Sequence, residues 1–330
     1  MSQKKRALTG IQPSGQIHIG NYLGAVKPAI ELQKDFDCVY FVADFHAITS
    51  LKDGATLSSF TLDLTATWLA LGLDTQKHIF FRQSDVAFVA EYAWYLSCFT
   101  GMGLLEKCHA YKDKIAQGKD ASHGLFAYPV LMAADILMYD VDVVPVGKDQ
   151  KQHVEVARDI AGSINANYGK QIIKLPTPVI SESTMLVPGL DGQKMSKSYN
   201  NTIPLFASEK ALEKLVMSVK TDSTGLEDPK ELDGSLVGQL FSLFSSEAQY
   251  EDLKSRMLKG GMGWGHAKKE LFGVINDHIR GPRSEFEKLR GDPAFLLKVL
   301  NEGADKAKSI ALKNLQALRD CFGFEDVTRK

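Results

Sequence analysis

The chain has 330 residues, 44% hydrophobic and 24% charged, an ordinary globular composition with enough length for one large or two moderate cores. A formal net charge of −1 excludes a global field that attracts nucleic acid or anionic membrane, so any polyanion must be met by local patches. Four cysteines (Cys38, Cys98, Cys108, Cys321) share no metal-ligand spacing, no apolar h-region follows the basic start, and no apolar run reaches membrane-spanning length; a cytoplasmic protein is expected.

In chain order, the first half alternates strand-like and helix-like segments. Arg6–Ile11 reads as a short strand ending in a Gly/Pro/Ser turn, and Leu23, Val26 and Ile30 then share a helix face. The continuous apolar run Cys38–Ala43 has the pattern of a strand buried on both faces. A helical pattern over Leu57–Leu71, a strand at His78–Phe81, and helices over Val86–Phe99 and Leu125–Tyr139 follow. Val141–Val146 reads as a strand and Gln150–Ile164 as a helix. This alternation predicts an α/β fold with a doubly wound parallel sheet, Rossmann-like, whose ligands sit at the carboxyl ends of the strands. After about residue 205 the pattern is helical throughout: Ser208–Ser218, Leu236–Phe244, Ala248–Leu258, Ala267–Ile279 and Pro293–Phe322, with the glycine-rich stretch Gly260–Gly265 as a sharp interruption. A helical second domain is expected, its last long helix returning to the first domain.

Several stretches have the residue types for chemistry. Lys194-Met195-Ser196-Lys197-Ser198 puts two ammonium groups three residues apart on a loop preceded by Gly189 and Gly192. A solvated loop and a partner for developing phosphate charge are both open readings. His18, Gly20 and Asn21 fall at the opening of a helix after the Pro13-Ser14-Gly15 turn, where a helix cap and a phosphate site are the alternatives. Tyr128, Met132 and Asp135 are spaced i, i+4 and i+7, on one helix face. Asp135 lies among Leu131, Ala133, Ala134, Ile136, Leu137 and Met138, and a carboxylate there is costly to bury unless something donates to it. The donor is either elsewhere in the protein or on a substrate. Val144 and Val146 alternate on the next strand and point the same way, as core or as pocket wall.

Taken together, these motifs resemble the class I aminoacyl-tRNA synthetases, and among them the bacterial tryptophanyl-tRNA synthetases. Five collinear stretches carry the resemblance: Gly10–Gly15, His18–Asn21, Tyr128–Leu137, Val144–Gln150 and Lys194–Ser198, with Glu302-Gly303-Ala304 near the end. The resemblance implies ATP-dependent activation of L-tryptophan to the adenylate, followed by transfer to tRNA(Trp). It implies that Asp135 accepts from the indole N–H, which should reject apolar side chains by roughly 10⁴ or more. Met132 would lie along the indole, Tyr128 near the polar end of the amino acid, and Val144 and Val146 along the pocket. Gln150 would approach the ammonium group and His46 the amino acid. Gln12, Gly20, Asn21, Gly147, Asp149, Lys194, Met195, Ser196 and Lys197 would contact ATP. His18, Asn21, Lys194, Lys197 and Lys114 would serve the catalytic step, although Lys114 also reads as part of a solvated charged face and Asp149 as a helix cap. Mg²⁺ would come with the ATP phosphates rather than in a dedicated cage.

The implied domains are a catalytic domain over 1–190, a mobile lysine loop over 191–205, a helical anticodon-binding domain over 206–290, and a C-terminal helix over 291–330 packing back on the first. Between 251 and 290, nine basic residues face six acidic ones, a surplus of three suited to moderate, salt-sensitive RNA contact. A homodimer is implied as well, with Ala93–Leu96 and Phe99 as apolar candidates for its interface. One departure is Leu8, where bacterial relatives usually carry an aromatic residue. The alternatives are a tyrosyl-tRNA synthetase, a small-molecule adenylyltransferase, and a synthetase-like regulator that binds tryptophan or RNA without catalysis. The Pro-Ser-Gly turn, the Met-Ala-Ala-Asp run and the intact phosphate set favour the tryptophan enzyme.

Overall fold

In the computed structural model, which describes residues 4–108, 112, 122–147, 151–180 and 186–324, five strands form one parallel sheet. They are β1 (Arg6–Ile11), β2 (Asp37–Val42), β3 (Ile79–Arg82), β4 (Val143–Val146) and β5 (Thr177–Ile180), in the order β3-β2-β1-β4-β5. The order reverses between β1 and β4, which opens a crevice at the carboxyl ends of those strands. β1 and β2 run in register from Arg6 opposite Asp37 to Ile11 opposite Val42. The β2 run is apolar because both faces of the sheet are covered. Ala7, Cys38, Tyr40 and Phe80 face one core, while Leu8, Val39, Phe41, Phe81, Val144 and Val146 face the other.

The longer helices are α1 (Gly54–Ala70), α2 (Phe88–Ser97), α3 (His123–Leu137), α4 (Lys151–Asn167), α5 (Glu209–Met217), α6 (Leu236–Ser242), α7 (Glu247–Leu258), α8 (Trp264–Arg290) and α9 (Pro293–Phe322). Side-chain oxygens begin several of them, including Asp53 for α1, Ser122 for α3, Ser208 for α5 and Ser246 for α7, each satisfying an otherwise unpaired first-turn N–H. α9 crosses the sheet at β3. A Cβ on Gly303 would stand 1.7 Å from the Phe80 carbonyl oxygen, so only glycine lets helix and strand approach this closely. Asn314 donates to the Met138 carbonyl, and Arg319 clasps Glu91 of α2 through both carboxylate oxygens.

Three features depart from the periodicity reading. β5 has no apolar run, and its Pro178 is tolerated because the strand lies at the sheet edge. α8 continues through Pro282 to Arg290 and is anchored there by an ion pair with Asp63. The helix after the His18 turn contains a π-turn over Tyr22–Val26, immediately ahead of Pro28, which has no N–H to continue a regular ladder. Among the described residues, no helix is long and apolar enough to cross a membrane.

Candidate active site

Loops leaving β2 and β3 meet α3 at the carboxyl edge of the sheet. Asp44, itself buried, accepts from the backbone N–H groups of Phe45 and Ser84 and from the Ser84 hydroxyl, tying the two loops together. Asp135 arrives from α3 and is 1% exposed. His46 Nε2 lies 2.8 Å from its Oδ2, and Gln83 Nε2 lies 2.9 and 2.8 Å from Oδ1 and Oδ2. Burial raises the Asp135 pKa, outweighing the opposing effect of hydrogen bonds from His46 and Gln83. Part of the donor question is therefore answered within the protein. An ionised carboxylate still offers about four acceptor positions, and these two donors leave room for a third. With Nε2–H donating to Asp135, the buried His46 Nδ1 has no partner. His46 is thus not a fully satisfied core histidine.

Tyr128 meets the same cluster. Its ring packs edge-on to His46 at 6.2 Å between centroids, and its hydroxyl is 3.1 Å from His153 Nε2. Met132, one turn along α3, is half-buried. Val144 and Val146 lie in the core under α3, together with Leu8. Leu8 is fully packed there, and the aromatic surface beside it comes from β2. The Phe41 ring covers Gly10, where an added Cβ would stand 2.2 Å from Cζ, and it stacks on Phe81.

The second cluster joins the His18 turn to the lysine loop. Ile19 N–H donates to the Ile203 carbonyl, and Leu205 N–H donates to Ile17, pinning the two segments side by side. Asn21 N–H donates to His18 Nδ1, and His18 N–H donates to Asn21 Oδ1, a reciprocal cap. Two of the first-turn amides are therefore occupied by protein groups, and the donors left for an anion are mainly side chains. Burial, helped by the nearby Lys197 charge, lowers the His18 pKa to about 4. The ring is neutral at pH 7, and with Nδ1 accepting, Nε2 carries its proton. Gly20 is needed for packing: a Cβ there would stand 3.0 Å from His18 Nδ1 and 3.4 Å from Met195 Cβ.

Met195 is buried under the lysine loop, whereas Lys194 is exposed. Lys197 reaches the turn, its Nζ 3.0 Å from the Ser14 carbonyl oxygen, and desolvation there lowers its pKa. Ser196 caps the short helical turn Lys197–Tyr199. Asn201, 3% exposed, shapes the loop: it accepts from Ser196 N–H and donates to Asp191 and to the Lys194 carbonyl. Gln12 is exposed beside this turn, its carbonyl accepting from Ser14 N–H, and Gly147 follows β4. Lys114, Asp149 and Gln150 lie outside the described residues. Sequence reasoning missed Gln83 and Asn201. Each is a polar residue of ordinary type in its own stretch; Gln83 becomes a linker through contacts 38 and 52 residues away, and Asn201 through the fold of its own loop.

Other surface expectations shift. Leu96 is buried, and Tyr95 and Phe99 pack on Phe322 of α9, so these side chains are taken within the chain, while Trp94 is 68% exposed. In the basic stretch, Arg256 clasps Glu270, Lys254 pairs with Asp233, Arg290 pairs with Asp63, and Arg283 is buried beside Asn276. The surface of this stretch is therefore less basic than the count implies.

This parallel sheet, with a buried carboxylate cluster at its carboxyl edge and a lysine brought to a glycine turn beside it, has the architecture of a nucleotide-dependent enzyme. Residues 2–279 match the family model for tRNA synthetases class I (W and Y), and the chain belongs to that family. It is 49% identical to the tryptophan--tRNA ligase of Fusobacterium nucleatum, over 97% of this chain and 98% of that one. It is similar to the crystal structure of Campylobacter jejuni tryptophanyl-tRNA synthetase complexed with ADP and tryptophan, with a TM-score of 0.92 and 48% identity over 96% of this chain and 99% of that one. The Mycoplasma pneumoniae tryptophanyl-tRNA synthetase structure gives 0.79 and 30%, over 98% and 99%.

Proposed function

We propose that this chain activates L-tryptophan with ATP and transfers it to tRNA(Trp). The observation that carries the reading is the buried Asp135 carboxylate, held by two protein donors with acceptor capacity remaining, in a chain this similar to a synthetase solved with ADP and tryptophan. An indole N–H supplies the missing donor, an aliphatic side chain has none to offer, and the phenolic O–H of tyrosine is the rival donor. In the first step a carboxylate oxygen of tryptophan attacks the α-phosphorus of ATP and pyrophosphate leaves. No protein nucleophile is required. The barrier lies in aligning two anions and stabilising charge at phosphorus and on the leaving group. Lys194 and Lys197 supply that charge from the loop, and His18 Nε2–H and Asn21 donate from the turn. Gln12, Gly20, Gly147, Met195 and Ser196 line the ATP side. Met132, Tyr128, His46, Val144 and Val146 line the tryptophan side. Lys114, Asp149 and Gln150 are assigned by family position.

Mg²⁺ neutralises phosphate charge when bound, and it arrives on ATP. Lysine, asparagine and neutral imidazole suit the phosphates themselves rather than the metal ion. In the second step the terminal ribose hydroxyl of tRNA attacks the adenylate carbonyl and AMP leaves. We assign 1–190 to catalysis, 191–205 to a loop that closes on the phosphates, 206–290 to the anticodon and 291–330 to a helix bracing the catalytic part. The working form is a cytoplasmic homodimer. Aminoacylation of tRNA(Trp) and tRNA(Tyr) transcripts, each with both amino acids, tests the whole reading. Charging of tRNA(Trp) with tryptophan alone is expected, and charging of tRNA(Tyr) with tyrosine would reject it.

A further inference from the structure

The Asp135 carboxylate does not orient itself. It comes from a helix, while the two groups that fix it come from the ends of two strands. Gln83 begins the loop after β3 and is 1% exposed. Its Oε1 stands 3.1 Å from Phe45 N, in the loop after β2. A backbone N–H can only donate, so the atom facing it must be the amide oxygen, and the NH₂ group must face Asp135. The side chain cannot flip without placing two donors together and two acceptors together in a buried site. This one amide therefore spans three elements. The β2 loop sets its orientation, β3 sets its position, and it reaches both oxygens of the carboxylate on α3. His46 closes the other side at Oδ2.

We propose that Gln83 is a positioning residue for substrate selection, holding the Asp135 carboxylate so that its remaining acceptor position faces a single ring N–H. The inference rests on Asp135 reading that N–H. Gln83 need not touch the substrate. Its effect is to make an unfilled acceptor position rigid, so that a ring without the donor leaves a buried carboxylate under-satisfied and is rejected. Removing Gln83 lets Asp135 rotate and make up its bonds elsewhere, and rejection weakens.

The test compares tryptophan with its benzothiophene analogue, in which sulfur replaces the ring N–H, in ATP–pyrophosphate exchange. Gln83→Met keeps the length and removes the amide. Gln83→Asn keeps an amide but is one methylene too short to span the Phe45 N–H and Asp135, so it breaks the link with a smaller change in chemistry. Thermal melting verifies that each variant is folded. Wild type should prefer tryptophan by about 10⁴ in kcat/KM. Both variants should narrow that ratio by about tenfold or more, chiefly through the tryptophan KM, with the ATP KM changed by less than about twofold. Equal losses for both amino acids, leaving the ratio at the wild-type value, would show Gln83 to be merely structural and overturn the proposal. Asp135→Ala separates the layers, because it removes the acceptor altogether. A ratio lost in that variant but intact in both Gln83 variants rejects the Gln83 role alone. A ratio unchanged in Asp135→Ala rejects the Asp135 reading, and the Gln83 role with it.

Discussion

His18 shows how burial sets the chemistry of one side chain. Its pKa, lowered to about 4 from an ordinary 6.5, keeps the imidazole neutral through the physiological range. Between those values the unfolded chain binds more protons at this position than the folded one. His18 therefore makes stability fall as pH drops from 6.5 towards 4, and adds nothing to pH dependence above about 7. In kcat/KM for pyrophosphate exchange, the free enzyme should show no His18 inflection near pH 6.5, and His18→Asn should lower activity by one factor, on the order of 10², across pH 6–8. An inflection lost in that variant would contradict a neutral ring. Lys197 is desolvated at the Ser14 carbonyl, a contact that occupies one of the three donors of its ammonium group. Lys197→Met should lower kcat by about 10²–10³ and change the KM for ATP much less, as for a group acting mainly in the transition state. Asn201 acts through the loop's shape. Asn201→Ala should destabilise by about 1–3 kcal/mol, since part-buried backbone groups of Ser196 and Lys194 lose their bonds to a buried side chain. Urea unfolding measures it.

At the scale of elements, the contact between α9 and β3 is the tightest. Gly303→Ala would drive a methyl group into the Phe80 carbonyl, with Ala304 and Ala307 packed alongside, and should destabilise by about 3 kcal/mol or more. Unfolding at unchanged urea midpoint would show that α9 has room to shift. The alternating strands and helices of the first half were legible because each strand carries its own apolar run, and Cys38–Ala43 is the clearest. β5 was not legible, because a four-residue edge strand with a central proline has no such run. The end of α8 was hidden by Pro282, which reads locally as a stop and is overridden by packing on both sides. At the site, the residues that stand out in sequence do so by local pattern: Asp135 in an apolar run, two lysines on one loop, histidine and asparagine at a helix start. Gln83 and Asn201 were invisible for the complementary reason. Their partners are 52 residues away in one case and spread around a loop in the other, and neither distance leaves a periodic trace.

For the whole molecule, assembly and specificity are the two open outcomes. Trp94 at 68% exposed and Met102 at 63% are large apolar side chains exposed on or beside α2. If the proposed homodimer uses this face, Trp94→Glu should sediment as a monomer at micromolar concentration where the unaltered chain sediments as a dimer. A stable dimer in that variant would move the interface elsewhere. A buried carboxylate on a Rossmann-like sheet is proposed to select tryptophan for reaction with ATP. The most direct test is amino-acid-dependent ATP–pyrophosphate exchange, each amino acid supplied singly, with Asp135→Ala alongside. Exchange is expected with tryptophan alone, with activity or discrimination lost in the variant. Exchange with tyrosine instead, or with no amino acid from folded protein, would contradict it.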